Sequence, residues 1–180
     1  MSDLVNRAYF FAKAAHEAVG QKRKYTGGEP YIVHPLEVAD LVRTVVGHTD
    51  AMLAAALLHD TIEDTQETID DIKREFGFEI AEMVDWLTDV SKPEDGNRAV
   101  RKAIDRDHTA KAPANVKTIK LADLISNTQS IVAHDPAFAR VYLKEKAALL
   151  DVMGDADPVL LARARALLNE SLAALLQPAR

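Results

Sequence analysis

The chain has 180 residues, with 22 Lys and Arg against 28 Asp and Glu, a formal charge of −6 and a hydrophobic share of 48%. That apolar share argues for one compact domain with a real core and against disorder. No cysteine is present, so disulfides, thiolate nucleophiles and Cys-ligated metals are excluded, and the acidic balance argues against nucleic acid as a partner.

Helical punctuation recurs along the whole length and no stretch alternates with period two, so the predicted fold is all-α, a bundle of about eight to ten helices. Leu4, Val5, Ala8, Phe11, Ala12, Ala15 and Val19 follow helical spacing and predict a first helix ended by Gly20. Gln21 to Val33 holds Lys22, Arg23, Lys24, Gly27, Gly28 and Pro30, which predicts a basic, turn-rich loop. Pro35 is expected to open a second helix reaching Gly47, with His34 at its mouth. Asp50 is expected to cap a very apolar third helix running from Ala51 to Asp64.

Thr65 or Thr68 should open a short helix ended by Gly77, and Glu79 to Val90 another. After a Ser91 to Gly96 loop come a charged helix, Asn97 to Lys111, and a long one from Pro113. Asp135-Pro136 and Asp157-Pro158 repeat one cap-plus-proline signal, predicting two closing helices over 136–176. No linker or repeat divides the chain, so a single domain over 1–180 is expected. The longest apolar run, Ala51 to Leu58, is far below the ~20 residues that cross a bilayer. With no leader pattern at the start, a cytoplasmic location without membrane partners is expected.

The apolar helix ends in His59, Asp60, Glu63 and Asp64. Charged groups beside a buried helix are costly unless paired or metal-bound. Adjacent His and Asp side chains on a helix diverge by about 100°, so both can reach one ion. His34 and Asp123 can supply two further ligands. Two imidazoles and two carboxylates suit Mn²⁺, Fe²⁺ or Zn²⁺. His34 as a plain helix cap and Asp123 as a salt-bridge partner of Lys120 are the competing readings.

The order His34-Pro35, His59-Asp60, Asp123 resembles the HD-domain metal-dependent phosphohydrolases. Gln21 to Lys24 with Gly28 to Pro35, then His59 to Thr65, then Lys120 to Asp123 with Asn127, are similar to motifs of the guanosine tetraphosphate hydrolase domain of the bifunctional Rel and SpoT enzymes. In extent, 8–142, the likeness is to the stand-alone small alarmone hydrolases. The resemblance implies a Mn²⁺ ion held by His34, His59, Asp60 and Asp123. It implies that Glu63 and Asp64 position or deprotonate the attacking water, and that Arg23, Lys24, Asn127 and Tyr142 contact a purine nucleotide substrate. The implied reaction removes pyrophosphate from the 3′ position of that nucleotide.

Leu124 and Ser126 depart from the family pattern and leave guanine or adenine preference open. A cluster of Arg98, Arg101, Lys102, Arg106, Lys111 and Lys117 could furnish one or two phosphate contacts, and is otherwise an exposed charged face. His16, His48, His108 and His134 are expected to be surface or capping residues. A 5′-nucleotidase of the same family and a non-catalytic nucleotide-binding module are the alternative functions, and the oligomeric state is open.

Overall fold

The computed structural model describes residues 2–176, with backbone alone at 129 and 130. Among the described residues no strand occurs; Lys22 and Pro30 form an isolated antiparallel bridge. The all-α expectation holds. The chain gathers into two compact units, Met1–Asp89 and Val90–Arg180.

In the first unit, α1 (Asp3–Ala18) starts at Ser2, whose hydroxyl accepts from Val5 N, and buries Val5, Ala8, Ala12 and Ala15. It ends in a Schellman motif: Gln21 N donates to His16 O and Gly20 N to Glu17 O, with Gly20 at φ 67°. The 21–32 segment is a folded turn in which Arg23 N donates to Glu29 O at 2.9 Å.

Helix α2 (Val33–Arg43) starts two residues before Pro35 and stops short of Gly47. Backbone bonds from Val33 to Pro30 and from His34 to Tyr31 begin the helix ahead of the proline. Thr49, extended at φ −117° and ψ 160°, caps α3 (Asp50–Leu58) in place of the expected Asp50, which sits in the first turn. Met52 to Leu58 are all buried, which makes α3 the centre of this unit, packed against α1, α2 and α6.

The expected helix 51–64 is broken. His59 and Asp60 leave the helix, and α4 (Thr61–Asp64) follows as a single turn. Side chains cause the break: His59 Nδ1 takes Ala56 O at 2.7 Å and Thr61 Oγ1 takes Leu58 O at 2.6 Å. These are carbonyls that the next helical turn would have used. Thr68 then opens α5 (Ile69–Phe76) with a full capping box to Asp71, and Gly77 at φ 86° turns the chain into α6 (Phe78–Leu87).

The second unit holds a 3₁₀ turn (Pro93–Asp95), α7 (Arg98–Lys111), α8 (Ala114–His134), α9 (Pro136–Leu150) and α10 (Pro158–Leu176). Asn97 caps α7 through Ala99 N and Val100 N. The repeated Asp-Pro signal works as predicted: Asp135 Oδ1 accepts from Phe138 N at 3.0 Å and Asp157 Oδ1 from Leu160 N at 2.8 Å. Val116, Ile119, Leu121, Leu124 and Ile125 bury α8 against α9 and α10.

Candidate metal centre

His34 stands second in α2, and His59 and Asp60 occupy the break after α3. A carbonyl can only accept, so the 2.7 Å bond to Ala56 O makes His59 Nδ1 the donor, and in the neutral ring the lone pair is then on Nε2. That Nε2 lies 3.1 Å from Asp60 Oδ2, and His34 Nε2 lies 3.5 Å from the same oxygen. The two rings meet edge to face at 5.1 Å and 64°. Ligand atoms of His34, His59 and Asp60 all fall within 4.8 Å of one another.

Both imidazoles are buried, at 1% and 2% exposure, while the Asp60 side chain keeps 18%. Two imidazole nitrogens and one carboxylate, with the His59 tautomer set by a backbone carbonyl, fit a divalent metal. Three ligands leave coordination positions open for water or substrate. Tyr31 adds a hydroxyl that donates to Asp60 Oδ2 at 2.6 Å, and its ring packs 5.8 Å from His34.

Glu63 and Asp64 lie on α4, both exposed. Glu63 Oε1 accepts from Asp89 N at 2.6 Å, and Asp64 Oδ2 accepts from Gln21 Nε2 at 2.9 Å. Arg23 is buried and its guanidinium lies 3.1 Å from Glu37 Oε2, so it ties the 21–32 turn to α2. Its neighbour Lys24 is exposed.

Asp123 and Asn127 belong to α8 of the second unit. They are one helical turn apart, and Asn127 Nδ2 donates to Asp123 Oδ1 at 2.7 Å. Lys120 Nζ is 3.8 Å from Asp123 Oδ2. Leu124 and Ser126 are buried. Tyr142 Oη is 3.5 Å from Thr128 Oγ1, and burial pushes the phenol well above its ordinary range.

Most of the basic cluster is engaged in ion pairs. Arg98 grips Glu145 with two bonds of 2.7 and 2.8 Å and lies over the Phe138 ring. Lys102 pairs with Asp105, Arg106 with Asp107, and the buried Lys117 with Asp155 at 2.9 Å. Burial would raise Asp105, but the Ser91 N–H and O–H and the Lys102 ammonium outweigh it and hold the carboxyl below its usual range.

An HD domain match spans residues 8–176. The chain belongs to the HD domain family. A GTP pyrophosphokinase of Streptomyces coelicolor is 38% identical over 128 residues, covering 71% of the chain and 14% of that relative. The guanosine-3′,5′-bis(diphosphate) 3′-pyrophosphohydrolase MESH1 of Xenopus tropicalis is 37% identical over 132 residues, 71% of the chain and 69% of that relative. A solved structure described as a metazoan ortholog of SpoT that hydrolyses ppGpp superposes with a TM-score of 0.82 at 23% identity, over 94% of the chain and 96% of its own. That likeness shows the fold. The HD domain chain spans less than a fifth of the length of the long curated relatives it matches.

Two residues escaped the sequence reading. His16, expected at the surface, is 1% exposed, its Nδ1 2.6 Å from Gln21 Oε1. Burial pushes its imidazole below the usual range, against the Gln21 bond and the charges of Asp60 and Asp64. Lys146 is also 1% exposed and donates to Thr128 Oγ1 at 2.7 Å; burial holds its ammonium down to about 8, with Asp123 opposing. Spacing was the available signal: His16 follows Ala8 and Ala12 at i+4, and Lys146 falls among Ala139, Leu143 and Leu150 on one apolar stripe.

Proposed function

We propose that this chain is a Mn²⁺-dependent hydrolase that removes pyrophosphate from the 3′ position of a purine nucleotide alarmone, such as guanosine 3′,5′-bis(diphosphate), giving the 5′-phosphorylated nucleoside and pyrophosphate. The observation that carries this reading is the convergence of His34, His59 and Asp60 on one 4.8 Å cluster. Its support is the 37% identity to a 3′-pyrophosphohydrolase matched over 69% of its length. The pyrophosphokinase name of the Streptomyces relative belongs to a protein of which only 14% is matched.

On this reading His34, His59 and Asp60 hold the ion, and Asp123 is the fourth ligand on the strength of the sequence likeness. A bound divalent ion supplies Lewis acidity and a water of lowered pKa. Asp64 and Glu63, exposed beside the cluster in sequence, direct that water and take its proton. Asn127 and Tyr142, with Arg23 and Lys24, are assigned to the nucleotide, and the two units work as one phosphohydrolase domain.

Phosphorus NMR of products tests the reading. Purified protein with Mn²⁺ and guanosine 3′,5′-bis(diphosphate) should release pyrophosphate. Release of inorganic phosphate, or turnover of 5′-monophosphates alone, would move the chain to the nucleotidase alternative. Binding without turnover would make it a nucleotide-sensing module.

A further inference from the structure

Asp64 closes a helix of only four residues and its carboxylate is exposed, so nothing in α4 itself limits its rotamers. What holds it comes from α1. A carboxylate only accepts, so the Gln21 amide nitrogen must face Asp64, at 2.9 Å. The Gln21 carbonyl then faces His16 Nδ1, at 2.6 Å, and His16 must donate there. The direction of both bonds follows from the carboxylate, which can only accept.

The backbone prepares this arrangement. Gln21 is the second residue beyond Val19, the C-cap of α1, and the Schellman bond from Gln21 N to His16 O places the two residues side by side. That cap is ordinarily accompanied by an apolar contact between the same two positions. Here the contact is polar and continues to Asp64. Its cost is visible, because His16 Nε2 is buried without a hydrogen-bond partner. A leucine at position 16 would fill the stripe of α1 without that cost.

The His16 ring also packs on Tyr31 at 4.6 Å, and Tyr31 donates to Asp60 Oδ2 at 2.6 Å. Two arms therefore run from one buried imidazole, a hydrogen-bonded one through Gln21 to Asp64 and one through ring packing on Tyr31 to Asp60.

We propose that Gln21 and His16 are positioning residues: the C-terminal cap of α1 orients Asp64 by holding its Oδ2, leaving Oδ1 to direct the water. This rests on the assignment of Asp64 to the attacking water.

Gln21→Met tests it, because Gln21 is only partly buried and Gly20 keeps the backbone cap. With Mn²⁺ and guanosine 3′,5′-bis(diphosphate), kcat should fall at least ~10-fold, the scale of a misplaced reacting group. KM, metal content and thermal midpoint should stay near those of the unsubstituted protein. Nitrogen-15 NMR of the protein should show His16 protonated at Nδ1, and this preference should weaken in Asp64→Ala, where the amide has lost the anion that directs it. A kcat for Gln21→Met within about 2-fold of the unsubstituted protein would overturn the proposal, and so would a His16 proton on Nε2. If the unsubstituted protein releases no pyrophosphate, the hydrolase reading falls. In that event identical His16 spectra before and after Asp64→Ala overturn the brace, and a shift sustains it.

Discussion

The Tyr31 hydroxyl donates to Asp60 Oδ2 at 2.6 Å, and the same oxygen is the one that His59 Nε2 and His34 Nε2 face at 3.1 and 3.5 Å. One carboxylate oxygen thus gathers two imidazoles and a phenol, and the phenol fixes its direction. Partners of this kind are worth about 10- to 100-fold in metal affinity when removed. Tyr31→Phe should therefore keep the fold and weaken Mn²⁺ binding within that range. Competition against a chromophoric chelator measures it; unchanged affinity would mean that the hydroxyl gives Asp60 no support once the ion is bound.

Glu63 and Asp60 are assigned different tasks, so their amide variants should part company. Glu63→Gln should retain metal through loading and desalting while losing about 10²- to 10⁴-fold in turnover, the range for a lost general base. Asp60→Asn should lose the metal itself. Elemental analysis beside turnover separates them, and equal metal loss in both variants would contradict the assignment.

Lys146 makes stability depend on pH with a definite sign. Its folded value of about 8 lies below the ordinary 10.5, so between those values the unfolded chain binds the extra proton. Stability should rise with pH across that window, by at most roughly 3 kcal/mol for the full separation. Below pH 8 the cost of burying the ammonium is constant. Lys146→Met should remove this slope and be at least as stable as the unsubstituted protein at pH 7. Denaturant midpoints of metal-free protein at pH 7, 8, 9 and 10 measure it; parallel pH profiles for the two proteins would refute the assignment.

Thr68 accepts from Asp71 N while Asp71 accepts from Thr68 N at 3.0 Å, and α5 has only eight residues. Losing the hydroxyl leaves a helix of this length without its N-terminal acceptor. Thr68→Ala should cost about 1 kcal/mol of stability, read as a lower urea midpoint at unchanged slope, with metal content unaffected.

Local signals carried far in this chain. The Asp135-Pro136 and Asp157-Pro158 caps, the Gly20 and Gly77 stops and the apolar run 51–58 determine helices by bonds to neighbours within five residues, so their elements follow from the sequence. The chemical character of His34, His59 and Asp60 was legible for a related reason, since charged groups beside an apolar helix demand partners. Their meeting on one oxygen was decided only in three dimensions. It needed α3 to stop at Leu58, where His59 and Thr61 side chains take the carbonyls of the last turn. Tyr31 to Asp60 is separated by 29 residues and Gln21 to Asp64 by 43. Such pairings carry no local periodicity, because side chains at that separation meet only where the packing of α1 and α2 on α3 brings them together. His16 and Lys146 belong to the same class: each sits on an apolar stripe that the sequence marks as buried, but which partner makes a polar group tolerable there is a property of the packed neighbours and of nothing in the adjacent residues.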